Sequence, residues 1–488
     1  MTVPRLLIAG AHSGVGKSSL TLALVAALRA RGLEVQTFKV GPDYLDPGHL
    51  RAVSGRECYN LDGWMCSRDY CRAMFASACA AGERRADIAI IEGVMGLFDG
   101  GSATTLDGSS AEIATWLDAP VALVVNSHGM ARSVAALVHG YATFESRVNI
   151  AAVIANFCGS ASHIELLRSA LEQAQLPPLA GAVPRGALPQ LPSRHLGLVS
   201  AAEQQWDDTS RRAFATAATT HLNVELLCRL ATAAPPLPAT ATPPPQPGTP
   251  VRLAVARDAA FQFYYPDLFL ELEQRSVELC FFSPLRDSHL PQNCAGLYLG
   301  GGYPEVYAAE LATNRAMLEQ VREFCAGNRP VYAECGGLLY LCRGIDCDGG
   351  AHEFTGVLPC RAQLLTKRQA LGYVEVTLEH ATIFGAAGDT LRGHEFHYSR
   401  LSDDPAGRDG WRHAYRVRHN RSGTICAEGY QRGNILASYV HLHLASRPQA
   451  LDMFVAALRH AEPAGFAKVP CDAAERRETP QRWVSPTV

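Results

Sequence analysis

The sequence predicts an α/β protein with two domains, and three observations lead to this prediction. Short apolar runs typical of buried strands alternate with helical patterns along most of the chain. A chain of 488 residues is too long for one ordinary hydrophobic core. A stretch rich in proline, alanine and threonine at 231–250 divides it, and a new strand follows at once. We therefore expect domains at 1–230 and 251–460, a stiff linker between them and a loosely ordered tail at 461–488.

The N-terminal half is organised around a glycine-rich loop, Gly10-Ala-His-Ser-Gly-Val-Gly-Lys-Ser, between an apolar strand and a long helical pattern. Backbone N–H groups at such a helix start bind phosphate oxygens, and Lys17 would reach the β- and γ-phosphates. The expected nucleotide contacts in this loop are Gly14, Val15, Gly16, Lys17, Ser18 and Ser19. Ala11 departs from the usual pattern, because a glycine normally stands there. The alternative is a glycine-rich turn before an ordinary helix.

Two further strands are predicted to end beside this loop. The run 33–40 reads as a strand, followed by a loop rich in Gly, Pro and Asp at 41–49. The run 87–92 reads as a strand whose terminal Glu92 brings a carboxylate to the metal beside the phosphates. The alternative for Glu92 is an acid that merely meets solvent at a strand end. Further strands at 120–126 and 150–156 continue a parallel, doubly wound pattern.

The composition of the chain indicates which classes of function to expect. Hydrophobic residues make up 48% and charged residues 19%, with a net charge of −3, which describes a soluble enzyme and gives no reason to expect nucleic acid. No apolar run is long enough to cross a membrane, and no cleavage site follows an apolar N-terminal core, so we predict a cytoplasmic protein. The 15 cysteines include no Cys-x-x-Cys pair, so we expect most to be reduced and buried.

A second chemical site is predicted around Cys335. An apolar strand, Pro330-Val-Tyr-Ala, leads into Glu334-Cys335-Gly-Gly, where a helix pattern begins. Such a turn exposes a thiol at its tip, and the helix start would lower the thiol pKa. The Gly336 N–H is available to an oxyanion, and the triple glycine at 300–302 supplies a second N–H. The alternative is a buried structural cysteine.

The thiol needs a base, and the strand-like run 436–443 offers two candidates. His441 and His443 lie two residues apart, so they face the same side of a strand. A third polar cluster at 392–399 contains two histidines and one glutamate but no clear further ligand. We assign it no metal and expect a polar loop that faces substrate or the domain interface.

Six motifs together resemble the cobyrinic acid a,c-diamide synthases of corrin biosynthesis, including the enzymes that act on metal-free hydrogenobyrinic acid. The resemblance covers nearly the whole chain to about residue 460. It implies an N-terminal synthetase domain like dethiobiotin synthetase and a C-terminal class I-type glutaminase domain. The motifs are Ala11-His-Ser-Gly-Val-Gly-Lys-Ser, Phe38-Lys-Val-Gly-Pro-Asp-Tyr-Leu-Asp-Pro-Gly-His, Glu92-Gly-Val-Met-Gly-Leu-Phe-Asp-Gly, Leu299-Gly-Gly-Gly-Tyr-Pro-Glu, Tyr332-Ala-Glu-Cys-Gly-Gly-Leu and Arg392-Gly-His-Glu-Phe-His-Tyr-Ser.

The resemblance also implies roles for single residues. The implied Mg²⁺ ligands are Ser18, Asp43 and Glu92; the phosphate contacts are Lys17 and Lys39; and the glutaminase pair is Cys335 and His441. From their positions in the loops and turns, we also expect substrate contacts from Asp46, Asp99 and Tyr44 and oxyanion donors from Gly301, Gly302 and Gly336. Asp46 and Asp99 have an alternative role as loop caps. Ordinary class I glutaminases carry an acid two residues after the histidine, where this chain has His443. A Cys-His dyad is therefore expected in place of a full triad.

The implied reaction uses ATP and Mg²⁺ to convert a corrin carboxylate into an acyl phosphate, which ammonia released from glutamine then attacks. One rival is cobyric acid synthase, which shares both domains but amidates other corrin carboxylates. Another is a partitioning-type ATPase switch whose C-terminal domain is a partner module. Glutamine-stimulated ATP turnover with a corrin separates an amidating enzyme from a switch. The presence of cobalt, the order of the two amidations and the oligomeric state, for which a homodimer is one alternative, stay open.

Overall fold

The computed structural model describes residues 2–191, 193–194, 197–198, 201–204, 206–238, 248–347 and 349–464. The central part of the predicted linker, 239–247, and most of the predicted tail, 465–488, lie outside the described residues. Within the described ranges, no helix is long and apolar enough to cross a membrane. The cysteines of these ranges are all free and most are buried, as predicted.

Strands and helices alternate in the N-terminal part, as the sequence predicts. The strands are β1 (Arg5–Gly10), β2 (Val35–Val40), β3 (Tyr59–Leu61), β4 (Ile88–Gly96), β5 (Val121–Asn126), β6 (Ile150–Cys158), β7 (Leu179–Pro184), β8 (Ser193–Arg194) and β9 (Gly197–Leu198). The helices are α1 (Lys17–Ala30), α2 (Leu45–Ser54), α3 (Arg68–Ala80), α4 (Ser110–Trp116), α5 (Ser133–Phe144), α6 (Ala161–Gln173), α7 (Ala201–Gln204), α8 (Asp208–His221) and α9 (Val224–Thr232).

A seven-stranded sheet in the order β3-β2-β4-β1-β5-β6-β7 forms the centre of this part, and its neighbouring strands pair in parallel. Successive side chains of β1 enter different apolar clusters. Leu6 and Ile8 belong to the cluster that contains α1, whereas Leu7 and Ala9 belong to the one that contains Phe75 of α3. Helices therefore cover both faces of the sheet, and the loop after β1 opens at its carboxyl edge, where ligands bind in such folds.

The C-terminal part also mixes strands and helices. Its strands are β10 (Val251–Ala256), β11 (Val277–Phe282), β12 (Gly296–Leu299), β13 (Val331–Glu334), β14 (Cys342–Cys347), β15 (Gly350–Glu353), β16 (Leu358–Leu364), β17 (Ala370–Leu378), β18 (Thr390–His397), β19 (Ser399–Leu401), β20 (Arg412–His419), β21 (Ile425–Arg432), β22 (Ile435–Ser438) and β23 (His441–Leu442). The helices are α10 (Pro266–Gln274), α11 (Ala308–Thr313), α12 (Arg315–Ala326), α13 (Gly336–Leu341) and α14 (Pro448–His460), with a 3₁₀ turn at Leu444–Ser446.

Ten of these strands form one sheet in the order β11-β10-β12-β13-β22-β21-β20-β17-β18-β23. The first five pair in parallel and the remainder are antiparallel. Four shorter strands form a second sheet, β15-β14-β16-β19. The apolar cluster under β1 continues into the C-terminal sheet through residues such as Leu253 and Val374. The two parts therefore share buried surface beside their sites.

Two loop predictions are wrong. Helix α2 begins at Leu45 inside the predicted loop 41–49, because Oδ1 of Asp43 accepts the N–H groups of Leu45 and Asp46 at 2.8 and 3.1 Å. Such a cap satisfies donors that a helix start leaves unpaired, and Pro47 is tolerated in the first turn. The cluster at 392–399 lies mostly in β18, paired along its length with β17, and is not a loop.

Two strand predictions also need correction. Strand β4 continues beyond Glu92 to Gly96, because Gly96 pairs with Gly10 across an irregularity in the ladder. Glu92 therefore lies within a strand and not at its end. The run 436–443 is divided between β22 and β23, which pair with different strands: β22 with β13 and β21, and β23 with β18.

Candidate active sites

The loop after β1 has the backbone of a phosphate-binding loop. Gly14 and Gly16 have φ angles of 81° and 92°, a region that favours glycine. A Cβ at Gly16 would lie 2.3 Å from Nδ2 of Asn156, which donates to the Val15 carbonyl at 2.8 Å. Ala11 is not among the residues with positive φ, so this position does not need the glycine that the usual pattern has. The loop thus keeps its shape despite the departure in sequence.

Behind the loop, one lysine lies among three carboxylates. Nζ of Lys39 lies 2.5 Å from Asp46 Oδ2, 2.8 Å from Glu92 Oε1 and 3.8 Å from Asp43 Oδ2. The Ser18 hydroxyl lies 2.6 Å from Glu92 Oε1 and 3.2 Å from Asp46 Oδ2. The structure thus brings together the three residues predicted as metal ligands and adds Asp46, from the first turn of α2, to them.

Burial and mutual repulsion set the charges in this cluster. Burial raises the pKa of Glu92 to about 7, and burial with the neighbouring Asp46 raises the pKa of Asp43 to about 6. Burial alone would raise the pKa of Asp46, but the Lys39 ammonium outweighs it and the pKa is lowered. The carboxylates likewise hold the pKa of Lys39 well above its usual value, against the effect of burial.

The donor set suits a hard divalent cation. Oxygen ligands from Ser18, Asp43 and Glu92 are the type that Mg²⁺ prefers, and Glu92 Oε2 is a buried oxygen with no hydrogen-bond partner. The residues present therefore fit a magnesium ion.

Three other predicted residues lie close by. The Lys17 ammonium donates to the Met95 carbonyl at 2.6 Å, and burial together with Lys39 lowers its pKa. Asp99 Oδ2 accepts the Gly96 N–H at 2.9 Å, which matches its alternative role as a loop cap. The ring of Tyr44, one residue after Asp43, points the other way and stacks at 5.1 Å on Phe263 of the C-terminal part.

Cys335 lies on a sharp turn between β13 and α13, as the sequence predicts, but its side chain is buried and not exposed. Its φ of 45° and ψ of −97° are unusual for a side chain other than glycine, and such strain often marks a functional site. A Cβ at Gly337 would lie 2.1 Å from the Leu299 carbonyl oxygen, so this position needs glycine. A Cβ at Gly336 would lie 3.0 Å from the Gly302 nitrogen, and one at Gly301 would lie 2.5 Å from the His441 ring. Gly302 therefore lies against the thiol turn, and Gly301 lies against the His441 ring.

The predicted fall in the thiol pKa is wrong for this state of the protein. Burial raises the pKa of Cys335, and the carboxylates of Glu305 and Glu334 add to the effect. The Gly336 N–H opposes the rise but is outweighed. Helix α13 has only six residues and follows a buried strand, so its start cannot compensate for the loss of water around the sulfur.

The two predicted histidines have different surroundings. Burial lowers the pKa of His441 to about 3, its ring stacks on His394 at 5.0 Å, and its Nδ1 is buried without a hydrogen-bond partner. Nε2 of His443 lies 3.2 Å from Asp267 Oδ2, and this carboxylate raises the His443 pKa despite burial. His441 is therefore a neutral base candidate, whereas His443 is half of a buried ion pair.

Sequence reasoning missed the contacts that join the two sites. Tyr44 approaches the His441 ring at 5.3 Å. The Tyr70 hydroxyl of α3 donates to Asp267 Oδ2 at 2.6 Å, and the Cys66 sulfur lies 3.6 Å from His443 Nδ1. Asp267 looks in the sequence like an ordinary acid in the first turn of a helix, so no local signal marks it. Residues of the phosphate-binding part therefore form part of the surroundings of the glutaminase candidate site.

Two family profiles match this chain. The CobQ/CobB/MinD/ParA nucleotide binding domain matches residues 6–199, and the CobB/CobQ-like glutamine amidotransferase domain matches residues 252–449. Among solved structures, PurLQS from Thermotoga maritima is similar over 43% of this chain and 99% of that chain, with 16% identity and a TM-score of 0.33.

Curated proteins named cobyrinate a,c-diamide synthase are similar over almost the whole chain. That of Syntrophotalea carbinolica is 54% identical over 458 residues, covering 93% of this chain and 98% of the relative. Those of Leptospira interrogans and Salmonella typhimurium are 41% and 40% identical, each with the same two coverages. With a nucleotide-binding and a glutamine amidotransferase domain in one polypeptide, the chain belongs to the cobyrinate a,c-diamide synthase family of glutamine-dependent, amide-forming ligases.

Proposed function

We propose that this protein amidates the a and c side-chain carboxylates of cobyrinic acid or hydrogenobyrinic acid, with ATP to activate the carboxylate and glutamine as nitrogen donor. The observation that carries the proposal is the contact between the two sites. Tyr44 directly follows Asp43 of the acidic cluster, and its ring packs against His441 beside the thiol turn. An enzyme that makes ammonia at one site and uses it at another needs such proximity.

In the synthetase site, the loop N–H groups of Gly14, Val15 and Gly16, with Lys17 and Ser19, hold the nucleotide phosphates. Ser18, Asp43 and Glu92 would hold Mg²⁺, which would neutralise charge on the transferring phosphoryl group. Lys39 keeps the Asp46 carboxylate ionised and adds a second positive charge beside the phosphates. A corrin carboxylate attacks the γ-phosphate of ATP, ADP leaves, and an acyl phosphate forms on the substrate.

Two aspartates and a tyrosine beside this site are proposed to contact the corrin. Asp46 and Asp99 border the nucleotide loop, and Tyr44 lies on the side that faces the C-terminal part. They would orient the polycarboxylate or the acyl phosphate that forms on it. Ammonia then attacks the acyl carbon and inorganic phosphate leaves, which gives the amide.

In the glutaminase site, Cys335 is the nucleophile and His441 is the base. His441 accepts the thiol proton as the sulfur attacks the amide carbon of glutamine, and the N–H groups of Gly301, Gly302 and Gly336 face the oxyanion. The protonated imidazole then gives its proton to the leaving nitrogen, so ammonia departs and a thioester remains. Water attacks the thioester, His441 takes its proton, and glutamate and the free thiol are released.

The decisive experiment is mass spectrometry of cobyrinic acid and of hydrogenobyrinic acid after incubation with the protein, MgATP and glutamine. We expect products in which two carboxyl groups have become amides, and fragmentation or NMR to place them at a and c. Amidation at other side chains would support cobyric acid synthase-like chemistry, and ATP turnover indifferent to glutamine would support a partitioning-type switch. A cytoplasmic location and a homodimeric state stay predictions, which cell fractionation and sedimentation velocity measure.

A further inference from the structure

The base of the proposed glutaminase site lacks the acid that ordinary class I glutaminases provide. A catalytic imidazole needs a partner at the nitrogen that faces away from the nucleophile, because this partner fixes the tautomer and stabilises the imidazolium. Nδ1 of His441 is buried and has no hydrogen-bond partner among the residues that the structure describes. The residue two positions on, His443, is paired with Asp267 and cannot supply a negative charge. The acid must therefore come from elsewhere in the fold.

A carboxylate from another strand lies within ion-pair distance of this nitrogen. Oε2 of Glu334 is 3.9 Å from Nδ1 of His441, and both side chains are almost fully buried. Glu334 is the last residue of β13 and directly precedes Cys335. The same turn thus fixes the nucleophile on one side and this carboxylate on the other.

Three donors hold the Glu334 carboxylate in place. The Tyr298 hydroxyl donates to Oε2 at 2.8 Å, and the Tyr332 hydroxyl donates to Oε1. The backbone N–H of Leu442, which follows His441, also donates to Oε1, at 3.2 Å. The carboxylate is therefore tied to the segment that carries the base.

We propose that Glu334 is the positioning carboxylate of the glutaminase site, which accepts a hydrogen bond from Nδ1–H of His441 and balances the charge of the imidazolium. This inference rests on the proposed function, since it assigns a role within glutamine hydrolysis. Catalytic hydrogen bonds are often long without substrate, and a movement of about 1 Å brings the two atoms to hydrogen-bond distance. The site is then a triad whose acid comes from the residue before the nucleophile.

The surrounding charges are compatible with this role. Burial raises the pKa of Glu334 to about 7, while Tyr332, Tyr298 and the charge of His443 act in the opposite direction. His441 is faced by the neutral rings of His394 and Tyr44, and His397 acts on it only by lowering its pKa. Once His441 takes the thiol proton, Glu334 is the one carboxylate among the described residues in ion-pair contact with it.

The test measures glutamate release from glutamine by the full-length protein with MgATP and cobyrinic acid. Glu334→Gln keeps the shape but removes the charge, and we expect kcat to fall roughly 100-fold or more while KM for glutamine changes little. Glu334→Asp keeps the charge, so its kcat should be roughly tenfold higher than that of Glu334→Gln. Synthesis with ammonium chloride should stay near the wild-type rate, which shows that Glu334→Gln is folded.

A double substitution separates positioning from a structural role. If Glu334 acts through His441, then Glu334→Gln combined with His441→Ala should be no slower than His441→Ala alone. Glu428→Gln is a control, because Glu428 is a half-buried carboxylate near the same turn but accepts from the Ser438 hydroxyl and the Tyr439 N–H. Glu428→Gln should have a glutaminase rate within roughly fivefold of the wild-type rate.

Three outcomes overturn the inference. The first is a near-normal glutaminase rate in Glu334→Gln, and the second is a double variant whose rate is reduced by the product of the two single losses. The third is that Glu334→Gln also loses ammonia-dependent synthesis. Cys335→Ala is measured alongside. If it keeps hydrolysing glutamine, the proposed function of the site fails. If it is inactive while Glu334→Gln is not, only the role of Glu334 fails.

Discussion

The two candidate sites lie at the carboxyl ends of parallel strands but differ in their electrostatics. The phosphate-loop site gathers three carboxylates around the ammonium of Lys39. The thiol site combines Cys335, whose pKa is raised, with His441, whose pKa is lowered to about 3. The first site is thus charged before any ligand arrives, whereas the second holds its reacting pair in the neutral, protonated-thiol form.

The largest effect is expected at the thiol. Cys335→Ala removes the nucleophile of the second site only, so glutamine-dependent amidation should fall by roughly 10³-fold or more while the ammonia-dependent reaction continues. The assay is diamide yield with glutamine against yield with ammonium chloride at mildly alkaline pH. Glutamine use by Cys335→Ala would make the cysteine structural. Loss of both nitrogen sources in a folded variant would show that the sites are not separable.

The next effect concerns the phosphate loop. Lys17→Ala should reduce synthesis with either nitrogen source, by roughly 10³-fold, because both depend on the activated carboxylate. Lys367→Ala is the matched control, since Lys367 is an exposed lysine of the C-terminal part. Circular dichroism of both variants should match the wild type. Near-normal synthesis from free ammonia in Lys17→Ala would contradict the phosphate role.

A smaller and more selective loss is expected at the acidic cluster. Glu92→Gln removes one charge beside Ser18 and Lys39, so phosphoryl transfer should fall roughly 10- to 100-fold while glutamine hydrolysis changes little. ADP release and glutamate release are measured separately, over a range of Mg²⁺ concentrations. A higher Mg²⁺ requirement is expected for the variant. Equal losses in both half-reactions would indicate misfolding or another role for Glu92.

Local sequence was enough to predict the parts of each site that lie on one turn. The strand, glycine loop and helix around Lys17 are adjacent in the chain, as are the strand and turn around Cys335. Each is identified by residue types that the backbone there requires, such as Gly16 with positive φ. The alternation of strands and helices likewise predicted that the strands of the N-terminal sheet are parallel.

The rest depends on contacts between distant residues, which a single sequence does not show. Glu334 and His441 are separated by many residues and several strands, and His443 meets Asp267 of a different helix. The helix at Leu45 was missed because the Gly, Pro and Asp content predicts a loop, whereas the cap by Asp43 decides the structure. Burial decided the thiol pKa in the same way, against the expectation from the helix start.

The smallest effect is expected on stability, at the buried ion pair of Asp267 and His443. Asp267 lies on α10, pairs with His443 and accepts a hydrogen bond from Tyr70 of the N-terminal part. Removing one member of a buried pair leaves the other uncompensated, so Asp267→Asn should cost about 3 kcal/mol. Asp452→Asn is the control, because Asp452 pairs with Arg275 but is 63% exposed, and it should cost less than about 1 kcal/mol.

The pH dependence of the stability lost in Asp267→Asn gives a sharper test than the size of the loss. The pKa of Asp267 is lowered, so its contribution is present above its unfolded value of about 3.9 and is lost as pH falls through the folded pKa. The pKa of His443 is raised, so its contribution is complete below its unfolded value of about 6.5 and is lost as pH rises through the folded pKa. The difference in thermal stability between wild type and Asp267→Asn should therefore be largest between about pH 4 and 6.5 and shrink at higher pH. A difference that does not change with pH would mean that the two groups contribute by packing and hydrogen bonding alone, without the charge that distinguishes His443 from the neutral His441.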